Sequence, residues 1–318
     1  MKTIYLCESE KDLRRVYGTE DNIYCKADVL QDPENFRDTE YVFSTWGMPV
    51  FTEEEIKNFL PALKAVFYGA GTVQKFARPF LNCGVKVFSA WAANAVPVAE
   101  YTVAQIILAN KGFFKTMRYT DRAAARKEHG LFPGNYDVKI GIIGAGMIGK
   151  MVINKLKDYQ LEVLVFDPFL PEETAVQLGV KKVTLLELFR ECQVVSNHLA
   201  NNDQTKGMLD GKLFESMLPY ATFINTGRGA QVVEQDLIRV LKDRPDLTAI
   251  LDVTYPEPPE PESPLYTLEN CILTPHIAGS SGNEVRRMGV YMEEEYQRFL
   301  QARPCRYEVT MEMLETMA

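Results

Sequence analysis

The chain has 318 residues, 46% of them apolar and 25% charged, the balance of a folded globular protein and long enough for two cores. A net charge of −8 argues against a nucleic-acid groove or an anionic membrane surface, both of which need clustered Lys and Arg. Residues 1–11 hold only a short apolar stretch before charges resume, and no uninterrupted apolar run is long enough to span a bilayer, so a cytoplasmic protein is expected.

In chain order, residues 3–7, 41–45, 65–68 and 85–89 read as strands, with helices at 53–60 and 76–82 between them, enough for one small sheet. Pro97 suits the first turn of a long apolar helix through residue 108. After it come strands at 138–143, 162–166, 193–197, 222–225, 248–252 and 271–273, separated by helices such as 150–159, 185–192 and 234–242. Alternation of this kind specifies parallel α/β layers. A helix at 284–301 and a short strand at 306–310 are expected to return to the first sheet. The organisation predicted is α/β: a Rossmann-type doubly wound parallel sheet domain, residues 101–284, inserted in a smaller flavodoxin-like α/β domain made of residues 1–100 and 285–318.

The strand at 138–143 runs into Gly144-Ala145-Gly146-Met147-Ile148-Gly149 and a helix, and the next strand ends in Asp167. In a G-x-G-x-x-G turn, Gly144 permits the tight bend, Gly146 lets a pyrophosphate approach, and Gly149 lets helix and strand pack closely. Asp167 stands where a carboxylate accepts hydrogen bonds from the adenosine ribose and repels a 2′-phosphate, which favours NAD over NADP.

Three later strands end in loops with ionisable residues. Arg228 lies between glycines in Asn225-Thr226-Gly227-Arg228-Gly229, where its planar fork suits a carboxylate. Glu257 and His276 lie in Pro-containing loops after the following strands. Alone, His276 reads as a structural histidine and Glu257 as a solvated charge; with Arg228 and the glycine turn they read as an acid/base pair. The six cysteines (7, 25, 83, 192, 271, 305) form no C-x-x-C pair and are expected to be reduced, mostly buried thiols, and His129, His198 and His276 show no metal-ligand spacing.

The ordered series GIIGAGMIG, VFDP, SNHLA, INTGRGA, LDVTYPEP and LTPHIAG resembles the D-isomer-specific 2-hydroxyacid dehydrogenase family, whose substrate loop and hinge helix residues 63–71 and 94–100 also resemble. The resemblance implies that Arg228 holds the substrate carboxylate and keto oxygen, that His276 is the acid/base, also bordering the cofactor, and that Glu257 pairs with it. It further implies NAD contacts from the Met147-Ile148 backbone, Asp252 at the nicotinamide end, and the backbones of His198, Thr226 and Gly227. Backbone N–H groups of Gly69-Ala70-Gly71 would complete the carboxylate site. The loops expected to face substrate, including the one with Trp46, contain no Lys or Arg, which predicts an unphosphorylated keto acid. A homodimer is implied as well. His129 reads as surface. Three positions depart from the family pattern: Met147 stands where Arg is common, Ala200 replaces a usual proline, and Gly227 replaces a common alanine and is expected to loosen the backbone beside Arg228. The rival reading is a dinucleotide-sensing, corepressor-like binding protein on the same fold.

Overall fold

A computed structural model describes residues 2–117 and 122–315. Thirteen strands occur among the described residues: β1 Lys2–Leu6, β2 Ile23–Tyr24, β3 Thr39–Ser44, β4 Ala65–Tyr68, β5 Lys86–Ser89, β6 Tyr136–Ile143, β7 Gln160–Phe166, β8 Lys181–Lys182, β9 Val194–Asn197, β10 Thr222–Asn225, β11 Thr248–Leu251, β12 Cys271–Leu273 and β13 Glu308–Val309. They form two sheets, in the orders β13-β5-β4-β3-β1-β2 and β12-β11-β10-β9-β6-β7-β8. Every pairing is parallel except β13 with β5. The first order is that of flavodoxin-like sheets with an added edge strand. The second is that of a dinucleotide-binding sheet, with its strand order reversing between β6 and β9.

The chain divides into two compact units, 1–94 with 280–318, and 95–279. The sequence places the breaks a few residues later, at 100/101 and 284/285. In the first unit, one face of the sheet carries a core around Phe36, Phe51 and Phe80, and the other packs Phe43, Phe67 and Phe88 against the helix Val285–Leu300. Phe67 and Phe88 stack with centroids 4.9 Å apart. In the second unit, all four residues of β9, β10 and β11 are buried. That is expected when helices cover both faces and no strand face meets water. One cover packs Leu188, Phe189 and Phe214 on Phe223 of β10, and the other holds Ala99, Val103, Val152 and Ile153.

Pro97 does not open its helix. The helix runs Trp91–Asn110, with Pro97 in its interior, where it cannot return a hydrogen bond to the carbonyl four residues back. This helix is long and apolar enough to cross a membrane by length and composition alone, and 56% of the relevant window is buried in the protein. Its apolar residues serve the cores: Ala93 joins that of the first unit, and Ala99, Val103 and Ile106 that of the second. The helix after the glycine turn spans Met147–Leu156, starting three residues before the expected 150. All six cysteines are free; Cys7, Cys192 and Cys271 are buried and the other three half-buried. Burial pushes the Cys192 and Cys271 thiols up to about 12. The His129 side chain lies outside the described residues.

Candidate active site of the second unit

β10, β11 and β12 are consecutive in the sheet, with Asn225, Leu251 and Leu273 in register. The loops carrying Arg228, Glu257 and His276 therefore leave the same sheet edge side by side. Contact between the first two loops is intimate. A Cβ on Gly229 would lie 1.9 Å from the Thr254 carbonyl carbon, so only glycine admits this approach. Glu257 Oε1 lies 2.6 Å from His276 Nδ1, with both side chains about half exposed. A carboxylate accepting from Nδ1–H fixes the proton on that nitrogen and leaves Nε2 for a ligand.

His276 is held in the left-handed region at φ 54°. A non-glycine residue there costs on the order of 1–3 kcal/mol and needs its surroundings to impose it. Asp252 imposes it. Its backbone carbonyl accepts from His276 N (3.1 Å), Oδ1 from Ile277 N (2.9 Å) and Thr274 Oγ1 (2.5 Å), and Oδ2 from Ala278 N (2.9 Å). Tyr101 OH lies 3.0 Å from Thr274 Oγ1, and burial raises its phenol pKa. Asp252, only 2% exposed, thus holds the His276 loop. Tyr101 and Thr274 carry no motif that reveals this part beforehand.

At the glycine turn, Gly144 has φ +88°, its N–H reaches Phe166 O at 2.8 Å, and a Cβ there would meet His198 O at 2.9 Å. A Cβ on Gly149 would fall 2.0 Å from Gly144 O, whereas nothing lies within 4 Å of one on Gly146. The helix begins at Met147 with no side chain capping it and no acidic residue in its first turn. Uncapped N–H groups above an open Gly146 fit a dinucleotide pyrophosphate. Asp167 Oδ2 accepts from Ala145 N (2.7 Å) and Oδ1 from Phe169 N (2.8 Å), so the carboxylate ties the turn.

The His198 imidazole turns inward, with Nε2 3.0 Å from Ser196 Oγ and Nδ1 3.4 Å from Thr226 Oγ1. Burial pushes its pKa down to about 3, so it is a neutral packing residue. Its backbone alone borders the glycine turn. Thr226 is likewise buried, with Oγ1 3.4 Å from Thr102 Oγ1.

In the first unit, the Gly69, Ala70 and Gly71 carbonyls accept from Thr45 Oγ1 (2.9 Å) and from Ser89 Oγ (2.9 and 2.6 Å). Gly69 N–H is used by Ser44 O at 2.7 Å, which leaves the Ala70 and Gly71 amides as donors without an acceptor among the described residues. Tyr17 OH braces this loop from below, 2.9 Å from Ser44 O and 3.1 Å from Phe67 O; a Cβ on Gly69 would strike it at 2.6 Å. Trp46 is partly exposed, and its carbonyl accepts from Cys7 Sγ at 2.9 Å.

Residues 103–278 match the family profile described as D-isomer specific 2-hydroxyacid dehydrogenase, NAD binding domain, so more than half of the chain is covered. The chain belongs to the D-isomer specific 2-hydroxyacid dehydrogenase family, and its cofactor is NAD. It is 29% identical to a D-3-phosphoglycerate dehydrogenase of Archaeoglobus fulgidus over 73% of its own length and 44% of that relative, and thus matches less than half of that protein. It is 28% identical to a glyoxylate reductase of Korarchaeum cryptofilum over 82% of this chain and 80% of the relative. The NAD-complexed D-isomer specific 2-hydroxyacid dehydrogenase of Lactobacillus delbrueckii ssp. bulgaricus shares the fold, with a TM-score of 0.78 at 18% identity, over 98% of this chain and 100% of that one.

Proposed function

We propose that this protein is an oxidoreductase interconverting a small, unphosphorylated 2-keto acid and its D-2-hydroxy acid. The observation that carries the reading is the 2.6 Å Glu257–His276 pair, set on strand ends next to Arg228 in the unit that holds the glycine turn. Bound NAD supplies the hydride donor or acceptor. Arg228 pairs with the substrate carboxylate and steadies the charge that grows on the C2 oxygen. His276, oriented through Nδ1 by Glu257, gives the proton to that oxygen in reduction and takes it back in oxidation. The uncapped N–H groups at Met147–Gly149 hold the pyrophosphate.

The tail preference rests on residues 44–49, 68–74 and 90–94, which contain no Lys or Arg. A phosphate would need one. Glyoxylate, hydroxypyruvate and keto acids with a modest apolar tail are the candidates. The test is NADH oxidation against such a panel, with 3-phosphohydroxypyruvate included and the products resolved by chiral chromatography for every keto acid except glyoxylate, whose product is achiral. Turnover with a D product supports the reading, and efficient use of the phosphorylated compound overturns the tail preference. Silence across the panel despite NADH binding favours the sensing protein instead. A homodimer is proposed too, on the exposed apolar Leu108, Phe113, Met117 and Leu131 of the second unit; light scattering of the purified protein tests it.

A further inference from the structure

Beneath Arg228 lies a cluster of three carboxamides that the reaction does not itself use. Asn197 ends β9, Asn225 ends β10 in register with it, and Gln231 closes the short turn after Arg228. All three are buried to 1% exposure or less. Asn197 Nδ2 donates to Asn225 Oδ1 (3.0 Å) and Gln231 Oε1 (2.6 Å). Those same two oxygens also accept from the backbone, Asn225 Oδ1 from Gly227 N (3.1 Å) and Gln231 Oε1 from Arg228 N (3.2 Å). Asn225 Nδ2 donates to Arg228 O (3.2 Å), so Arg228 is gripped through both its amide and its carbonyl. The other side of the cluster holds the loop after β9. Leu199 N reaches Asn197 Oδ1 (3.2 Å), and Gln231 Nε2 donates to the carbonyls of Leu199 (2.8 Å) and Ala200 (2.9 Å).

The cluster also changes the meaning of Gly227. A Cβ there would sit 3.0 Å from both Asn197 Nδ2 and Gln231 Oε1, closer than these atoms tolerate without moving. The expectation that this glycine loosens the backbone is therefore corrected. The space that an alanine methyl would fill is taken by two amides that tighten it.

We infer that Asn197, Asn225 and Gln231 act as one clip that positions Arg228, and that Gly227 is glycine because the clip occupies its side-chain space. These are positioning residues, and their kinetic role rests on the proposed 2-keto acid reduction. A buried network of this kind is worth its cost only if nearly every member is bonded. Removing one amide leaves the Arg228 N–H and an Asn197 donor unpaired, and the guanidinium then loses its fixed origin. Misplacement of a clamp by about 1 Å can cost as much as ~100-fold in rate.

The test is a double-mutant cycle with Gly227→Ala and Gln231→Met, the latter similar in length but without the amide and flexible enough to yield to a methyl. Each single variant is expected to lower kcat/KM for the best keto acid about tenfold, mainly through KM, with the pH profile unchanged because the Glu257–His276 pair is untouched. The double variant is expected to be no worse than the poorer single, since the methyl meets no bonded amide. Losses that multiply to about 100-fold, or single variants that lose thermal stability with KM unaltered, overturn the inference. Gly227→Ala keeps every side chain of the clip, so it remains informative if Gln231→Met fails to fold. If the parent reduces no keto acid, the functional reading falls, and the clip is judged by the crystal structure of Gly227→Ala. Displacement of the Arg228 backbone relative to Asp252 supports it; an unmoved Arg228 overturns it.

Discussion

Replacing Asp167 should do two separable things, because its carboxylate faces two tasks. It accepts the Ala145 and Phe169 amides at 2.7 and 2.8 Å, and it is the carboxylate proposed to face the adenosine ribose. Hydrogen bonds to a charged acceptor contribute about 1.5–3 kcal/mol each at best. Asp167 is only half-buried, so a loss of about 1–3 kcal/mol for Asp167→Ala is expected. For a domain of this size each kcal/mol lowers Tm by roughly 2–4 °C, giving a fall of roughly 2–12 °C. Cofactor selection should change independently. Removing a carboxylate that opposes a 2′-phosphate relaxes the NADPH-to-NADH ratio of Kd by about 1–3 kcal/mol, or roughly 5- to 150-fold. Asp167→Asn keeps one acceptor oxygen without the charge, so it should relax the ratio almost as far while losing less Tm. The assays are NADH and NADPH fluorescence titrations beside differential scanning calorimetry. A fall in Tm with the Kd ratio unmoved would show that Asp167 is a turn residue alone. Comparable affinity for NADPH and NADH in the parent would refute the selection argument outright.

His276→Ala should lower kcat at every pH by at least about 100-fold while NADH Kd stays within about threefold, since the proton donor is lost and the glycine turn is untouched; a weakened Kd of the same size would place His276 in cofactor binding instead. Glu257→Gln keeps the shape of the pair without its charge, and kcat/KM should fall about tenfold with NADH affinity constant; parental kinetics would return Glu257 to a solvated loop charge. Gly149→Ala forces a methyl into the space 2.0 Å from Gly144 O, so NADH binding should be lost along with at least about 3 kcal/mol of stability, and near-parental binding would contradict the packing described. His198, at about 3 when folded against 6.5 when free, stabilises the fold above pH 6.5 and loses that contribution as pH falls towards 3. That amounts to roughly 3 kcal/mol by pH 4, and His198→Asn should flatten the acid side of the Tm–pH curve accordingly; an unchanged slope would mean the imidazole charges without cost.

The elements that positioned themselves most plainly in the sequence were those whose residues have one physical reason to be there. Strands β9, β10 and β11 are short segments buried at every position because helices cover both sheet faces, and Gly144 and Gly149 answer to a positive φ and a 2.0 Å approach. Pro97 misled because proline is tolerated inside a helix whose other residues are packed on both sides, a tertiary fact invisible to local rules. Short elements such as the helix Glu10–Tyr17 are not marked by the sequence pattern, since its two turns, though amphipathic, put only Leu13 and Val16 in the core. In the site, Arg228, Glu257 and His276 were legible through their glycine and proline neighbours. Asn197, Gln231, Tyr101 and Thr274 were not, because a buried polar residue shows its partner only in three dimensions.

The two exposed groups proposed for catalysis share one design, and it bears on how the site tolerates change. His276 and Glu257 are about half exposed, yet the loop that sets His276 is fixed from below by Asp252 at 2% exposure; the Arg228 backbone is fixed by three amides at 1% or less. Burying polar groups is costly unless every bond is made, so these supports stabilise the fold little and specify geometry strongly. Substitutions at the exposed residues should therefore alter chemistry with small effects on Tm. Substitutions at the buried supports should alter both, and should couple to each other within a support but not between the two. Gln231→Met and Thr274→Val, on different supports, should show additive effects on kcat/KM, to within about 0.5 kcal/mol. Strong coupling between them would mean that the Arg228 and His276 loops move as one body.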